Sequence, residues 1–215
     1  RLDDPTVRGN ELGGVALPYH SDGSDLVGLL CLRTAREGGL SCVANAVSIH
    51  NQMVRDHPDL AAALYEPLPY DARGEHASGG KPYYSIPGFT ERADRLFVRF
   101  IPPYILASQR HPEAPRLSDL TRAAIDKAVE LANDPDLNVY MDLQPGEMQF
   151  INNYHVLHGR TAYVDDPEHG YKRHLKRLWL ATYALADRPA HFQALGRTHW
   201  EAKRSVSRLE AVGRP

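Results

Sequence analysis

His20 and Asp22 stand two residues apart in the stretch Leu17-Pro18-Tyr19-His20-Ser21-Asp22-Gly23-Ser24-Asp25-Leu26. On an extended chain, residues i and i+2 share a face, so an imidazole and a carboxylate at this spacing converge on one point. Joined by a histidine from elsewhere, they complete a two-histidine, one-carboxylate set. Such a set holds one face of a ferrous ion and leaves three positions for other ligands.

The motif is short, and with 11 His in the chain a second copy is present at His57-Pro58-Asp59. The surroundings separate the two. Pro58 suits the first turn of a helix, and Leu60-Ala61-Ala62-Ala63-Leu64 continues it. On a helix, i and i+2 do not share a face, so His57 and Asp59 diverge. The first copy instead precedes an apolar run, residues 26–32, that reads as a buried strand.

Elements must then bring these residues together. Residues 17–32 read as strand, turn, strand around His20 and Asp22. Gly38-Gly39 marks a turn, residues 40–47 a further strand, and Ser48 a cap for a helix to about Asp56, with the Pro58 helix following to Tyr65. Residues 67–87, rich in Pro, Gly and Tyr, lack periodicity and read as one long loop of the kind that forms lids or binding walls. Tyr83 and Tyr84 there either wall a pocket or fill a core edge. Residues 95–101 alternate as a strand. Ser118 caps a helix whose stripe is Leu120, Ala124, Ala128 and Leu131, and Asn133-Asp134-Pro135 ends it. Residues 138–143 and 147–152 read as strands of a hairpin turned by Gln144-Pro145-Gly146. Asn152 and Asn153 either line a site or satisfy a turn. Residues 173–183 form a last strand with Arg173, Leu175, Arg177 and Trp179 on one face. Residues 190–212 read as helical. Many strands with few helices suggest a β-sandwich or barrel with helical insertions.

The 215 residues fit one domain with one sizeable core. The formal net charge of −2 and the lack of a basic stripe argue against a nucleic acid or an acidic membrane as partner. No apolar run approaches the ~20 residues that span a bilayer, and the opening residues carry no signal-peptide pattern. Cys31 and Cys42 sit among apolar residues and read as buried free thiols. A cytoplasmic location is the expectation, and a homo-oligomer stays open.

His20-Ser21-Asp22, then His158-Gly159-Arg160-Thr161-Ala162-Tyr163, then Arg173 and Arg177 resemble, in this order, the Fe(II)/2-oxoglutarate dioxygenases of the taurine dioxygenase-like (TauD/TfdA) family. The resemblance covers residues 17–183. It implies a mainly β fold, a double-stranded β-helix or jelly roll, with His20, Asp22 and His158 as iron ligands and O2 as oxidant. His158 is preferred over nearby His155 because Gly159-Arg160 follows it, as in the family. Arg173 would bind the distal carboxylate of the cosubstrate 2-oxoglutarate. Arg suits that role as a permanent, planar charge. Arg177 would take a second carboxylate, the cosubstrate's near one or a substrate acid. A hydroxyl after the Gly-Gly pair assists the cosubstrate in the family, and Ser41 stands there in place of the usual Thr. The resemblance further implies that part of the family's region before the His-x-Asp motif is missing from this single domain.

The reaction so implied is oxidation of a C–H bond of a small metabolite, hydroxylation by default. A halogenase is disfavoured, because those enzymes replace the carboxylate ligand and Asp22 is present. A cupin-like zinc hydrolase or isomerase would use the same three ligands but gives Arg173 no role. A non-catalytic jelly-roll binding module leaves all three idle.

Overall fold

The computed structural model describes residues 13–75, 79–185 and 187–192. Two strands, β1 (Leu17–His20) and β2 (Leu26–Arg33), flank the turn that carries Asp22. The two-residue β3 (Glu37–Gly38) leads into Gly38 and Gly39, both at positive φ. A Cβ on Gly38 would sit 2.2 Å from the Ala162 carbonyl oxygen, so no other residue fits that turn.

Next, β4 (Ser41–Asn45) runs directly into α1 (Ala46–Asp56). The cap is Asn45, whose side chain accepts from the Val47 and Ser48 N–H groups, three residues before the expected Ser48. α2 (Pro58–Tyr65) begins on Pro58 as expected.

The stretch expected to be one long loop is instead largely a hairpin, β5 (Pro67–Asp71) against β6 (Tyr83–Pro87). Pro67 and Pro69 hid it. They are tolerated because β5 pairs on one side only, as an edge strand, where a missing N–H need not break a ladder. A second hairpin, β7 (Phe89–Arg92) and β8 (Arg95–Val98), turns through Ala93 and Asp94, both at positive φ. The predicted strand therefore stops at Val98, and α3 (Pro102–Ser108) follows.

Ser118 caps α4 (Asp119–Ala132), its hydroxyl accepting from Thr121 N–H. Its buried stripe is Ala124, Ile125, Ala128, Leu131 and Ala132, while Leu120 faces outward. β9 (Asn138–Met141) and β10 (Met148–Asn152) occupy the expected positions but do not pair with each other. β9 pairs with β4 and β10 with β2, so Gln144-Pro145-Gly146 carries the chain from one sheet to the other. The chain closes with β11 (Val156–Arg160), the short β12 (Tyr163–Val164) and β13 (His174–Leu180). Beyond Phe192, the residues expected to be helical lie outside the described residues.

Two antiparallel sheets position the site. One has the order β1-β11-β4-β9 and the other β10-β2-β13. On β4, Cys42 and Ala44 turn toward the main apolar core with Ile49 and Met53 of α1 and Ala124 and Ala128 of α4. Ser41, on the opposite face by strand alternation, reaches across to the other sheet, where its hydroxyl donates to Gln149 at 2.7 Å. Cys31 and Cys42 are buried and free, as expected. Among the described residues, no helix is long and apolar enough to cross a membrane.

Candidate metal centre

β1 ends at His20, so Asp22 sits in the turn beyond it rather than on the strand. Groups from far along the chain hold that turn. Ser21 N–H donates to the Phe100 carbonyl at 2.8 Å, and Phe100 N–H donates back to Ser21 Oγ at 2.9 Å. Asn153, fully buried just past β10, accepts the Asp22 N–H at 2.8 Å. Its amide nitrogen donates to the carbonyls of Asp22 and Ser24. Arg99 Nη1 donates to the carbonyls of Ser21 and Asp22, and Nη2 to the Tyr84 hydroxyl. Asp25, also buried, anchors the turn's exit by accepting from Tyr154 Oη and Thr182 N–H, each at 2.8 Å.

His20 stands opposite His158 in the β1–β11 register, with ring centroids 4.3 Å apart. His20 Nε2 lies 3.8 Å from Asp22 Oδ1 and His158 Nε2 lies 3.6 Å from Asp22 Oδ2. One ligand atom from each residue falls within 4.8 Å of the others. All three side chains are nearly buried. The Pro18 carbonyl lies 2.8 Å from His20 Nδ1, which places the proton there and leaves the Nε2 lone pair facing the cluster. Burial, then the neighbouring His158, lower the His20 pKa to about 4, so the ring is neutral at pH 7. Burial opposes the Asp22 charge, but the His158 imidazole, His20 and Arg177 outweigh it and hold the carboxyl below the usual range. Two imidazoles and one carboxylate, nearly buried and converging, fit a divalent first-row metal.

β13 supplies the next layer. Arg177 Nη1 and Trp179 Nε1 both donate to Asp22 Oδ2, at 3.1 and 2.9 Å. The guanidinium of Arg177 also stacks over the Trp179 ring, 5.0 Å from its centroid. The strand read over residues 173–183 is shorter, His174–Leu180, so Arg173 stands just before it, on the far side of a register shift between His174 and Leu175. Its Nε and Nη2 donate to the Gly39 carbonyl at 3.2 and 3.0 Å. Arg173 lines a recess with Cys31, Gly39, Asp142 and Leu175. Burial, then the charge of Arg160, press its pKa down. Among the described residues, no carboxylate comes within ion-pair distance of the Arg173 guanidinium.

The remaining sequence candidates sort clearly. Ser41 is buried and bonded to Gln149. His155 is engaged at both nitrogens, by the Leu96 carbonyl and by Asn152, and stands outside the cluster. His57 and Asp59 lie at the junction of α1 and α2, away from the cluster, as their helical setting requires. Tyr84 stacks on Tyr70 with centroids 5.3 Å apart. Sequence reasoning missed Arg99. Its signal was a lone charge inside the apolar run Phe97-Val98-Arg99-Phe100-Ile101, which a buried partner had to satisfy.

The family model for the taurine catabolism dioxygenase TauD, TfdA family matches residues 4–179. FR-33289 synthase of Streptomyces rubellomurinus is 33% identical over 182 residues, which cover 84% of this chain and 53% of the relative. Uridine-5'-phosphate dioxygenase of an Amycolatopsis species is 26% identical over 167 residues, 76% of this chain and 56% of the relative. Among solved structures, asparagine oxygenase in complex with Fe(II), 3-hydroxyasparagine and succinate superposes with a TM-score of 0.62 at 22% identity, covering 85% of this chain and 56% of that one. The non-heme iron oxygenase OrfP with Fe and alpha-ketoglutaric acid gives a TM-score of 0.57 at 19% identity, covering 87% and 56%. The chain thus spans about half the length of the proteins it matches. These likenesses bear out the double-stranded β-helix that the family resemblance implied.

Proposed function

We infer that this chain, which belongs to the taurine catabolism dioxygenase TauD, TfdA family, acts as an Fe(II)- and 2-oxoglutarate-dependent oxygenase that hydroxylates a C–H bond of a small metabolite. One observation carries the reading above all: His20, Asp22 and His158 converge, buried, with the histidines presenting nitrogens toward a carboxylate. They would hold the iron. Bound there, iron supplies the oxidising power, coupling decarboxylation of 2-oxoglutarate to oxidation of the substrate by O2.

The other roles belong to the chain's own side chains. Arg173 is a half-buried cation whose guanidinium has no carboxylate within ion-pair distance among the described residues, which suits the far end of a dicarboxylate. The recess it lines is only about 10 Å³, room for one water. The cosubstrate would therefore enter as Arg173 leaves the Gly39 carbonyl. Arg177, half-exposed beside Asp22, would turn to the near carboxylate or to an acid on the substrate. Ser41 would share its hydroxyl between Gln149 and the cosubstrate. By analogy with relatives named for uridine 5'-phosphate and asparagine, the substrate would be a metabolite of that size class. Two buried free thiols suit a reducing, cytoplasmic setting.

Adding 2-oxoglutarate to anaerobic Fe(II)-loaded protein tests this. A visible charge-transfer band that disappears in Asp22→Ala is the expected result. A zinc hydrolase or a binding module would produce no band, and its absence would overturn the reading.

A further inference from the structure

We propose that Trp179 is a positioning residue that makes Asp22 a one-oxygen metal ligand, an inference that rests on the metal-site reading above. The three ligands do not by themselves choose an oxygen. His20 Nε2 is nearest Oδ1 at 3.8 Å and His158 Nε2 is nearest Oδ2 at 3.6 Å, so the imidazoles straddle the carboxylate. The asymmetry comes from β13. Oδ2 accepts the Trp179 indole N–H at 2.9 Å and Arg177 Nη1 at 3.1 Å. Among the described residues, the hydrogen bond to Oδ1 is one long contact of 3.4 Å from the same Arg177 nitrogen. Each carboxylate oxygen offers about two acceptor sites. Those on Oδ2 are filled, and Oδ1 keeps the capacity to bind a metal.

Of the two donors, Trp179 is the fixed one. Arg177 is 46% exposed on a flexible stem, and an arriving anion would draw it away. The indole is rigid and half-buried, and its backbone is paired to Val27 on the central strand of its sheet. Its N–H is a donor only, so it neither accepts a proton nor competes for the metal. The consequence is functional. A carboxylate gripping the ion with both oxygens would occupy one of the three positions that a two-point cosubstrate and O2 require. Trp179 keeps that position open.

The test uses Co(II) in place of iron, so that the readout is spectroscopic and independent of turnover. Trp179→Phe keeps the ring and removes the N–H. It should retain Co(II) binding but show an altered visible ligand-field band, the mark of a carboxylate that grips with two oxygens in place of one. It should also bind 2-oxoglutarate about 10-fold more weakly under anaerobic conditions. His57→Ala, outside the cluster, should leave the Co(II) band as in wild type. If Trp179→Phe does not fold, 3-benzothienylalanine at position 179 keeps the indole shape without the N–H and should give the same result. An unchanged band and cosubstrate affinity would overturn the proposal, as would a folded variant that no longer binds Co(II), which would make the indole a plain structural prop of the site. Failure of the wild-type protein to bind Co(II) is a different outcome and overturns the metal site itself.

Discussion

A histidine is ready to bind a metal when one ring nitrogen is already committed and the other faces its co-ligands. His20 meets that condition through the Pro18 carbonyl, whereas His155 has both nitrogens engaged elsewhere. His158 presents Nε2 to Asp22 while its buried Nδ1 has no hydrogen-bond partner among the described residues. Asp22→Ala should therefore abolish 2-oxoglutarate-dependent oxidation without unfolding the protein, with far-UV circular dichroism as the control. His57→Ala should leave activity intact, and loss of metal in that variant would mean the second His-x-Asp copy had been misjudged. Arg173→Leu should spare metal binding but raise the 2-oxoglutarate dissociation constant by about one to two orders of magnitude. That range follows from a charged hydrogen bond of roughly 1.5–3 kcal/mol, and calorimetric titration of the anaerobic, metal-loaded variant measures it. Wild-type affinity in that titration would remove Arg173 from the cosubstrate site. His20 and Asp22 were legible because the apolar strand that follows them is local. Asn153, Arg99 and Trp179 reach the same turn from 77 to 157 residues away, so spacing said nothing of them.

At the scale of elements, the sequence was clearest where a cap and a stripe coincide, as for α4 with Ser118. It failed where pairing is decided by distant partners. The alternation of β9 and β10 was visible, but which sheet each joins depends on β4 and β2, over 90 residues away. The β5–β6 hairpin was hidden by its prolines, yet it carries a strong anchor in Asp71. That carboxylate is fully buried, with Arg110 Nε at 2.7 Å, His111 Nε2 at 3.1 Å and the Arg73 N–H at 2.7 Å. Removing one member of a buried pair costs about 3–5 kcal/mol. Because Arg110 is partly exposed, Asp71→Ala should fall at the low end of that range by urea unfolding at pH 7. Burial opposes the Asp71 charge, but the Arg73 N–H, Arg110 and His111 outweigh it and depress its pKa. Its contribution is thus present above the unfolded value of about 3.9 and is lost as pH falls through the lower folded value. The gap between wild type and Asp71→Ala should narrow below about pH 4. A gap that stays constant would show that packing, not charge, sets the cost.

Across the whole molecule, stability and chemistry are assigned to different layers. The continuous apolar core joins β4 and β11 to α1, α2, α4 and the two hairpins. Val27, Cys31 and Ile151 of the other sheet are buried but lie outside that cluster. That sheet also leaves Met148, Phe150 and Leu178 more than half exposed on its outer side while turning Gln149, Arg177 and Trp179 inward. Local opening free energies follow buried apolar contact, so the β10-β2-β13 layer should open first. Hydrogen exchange should show slow amides in β4, β11 and α4 and faster ones in β13. A ligand that binds only the closed state adds RT ln(1 + [L]/Kd), about 2.7 kcal/mol at a hundredfold excess over Kd. The residues proposed to hold metal and 2-oxoglutarate come from both sheets, so under anaerobic saturation protection should rise most in residues 20–25 and in β13, where it is expected to begin lowest. α4, expected to exchange near the global limit from the start, should change only as far as global stability does. Equal gains in α4 and β13 would mean that the molecule opens as one unit, and no gain in β13 would separate that strand from the site altogether.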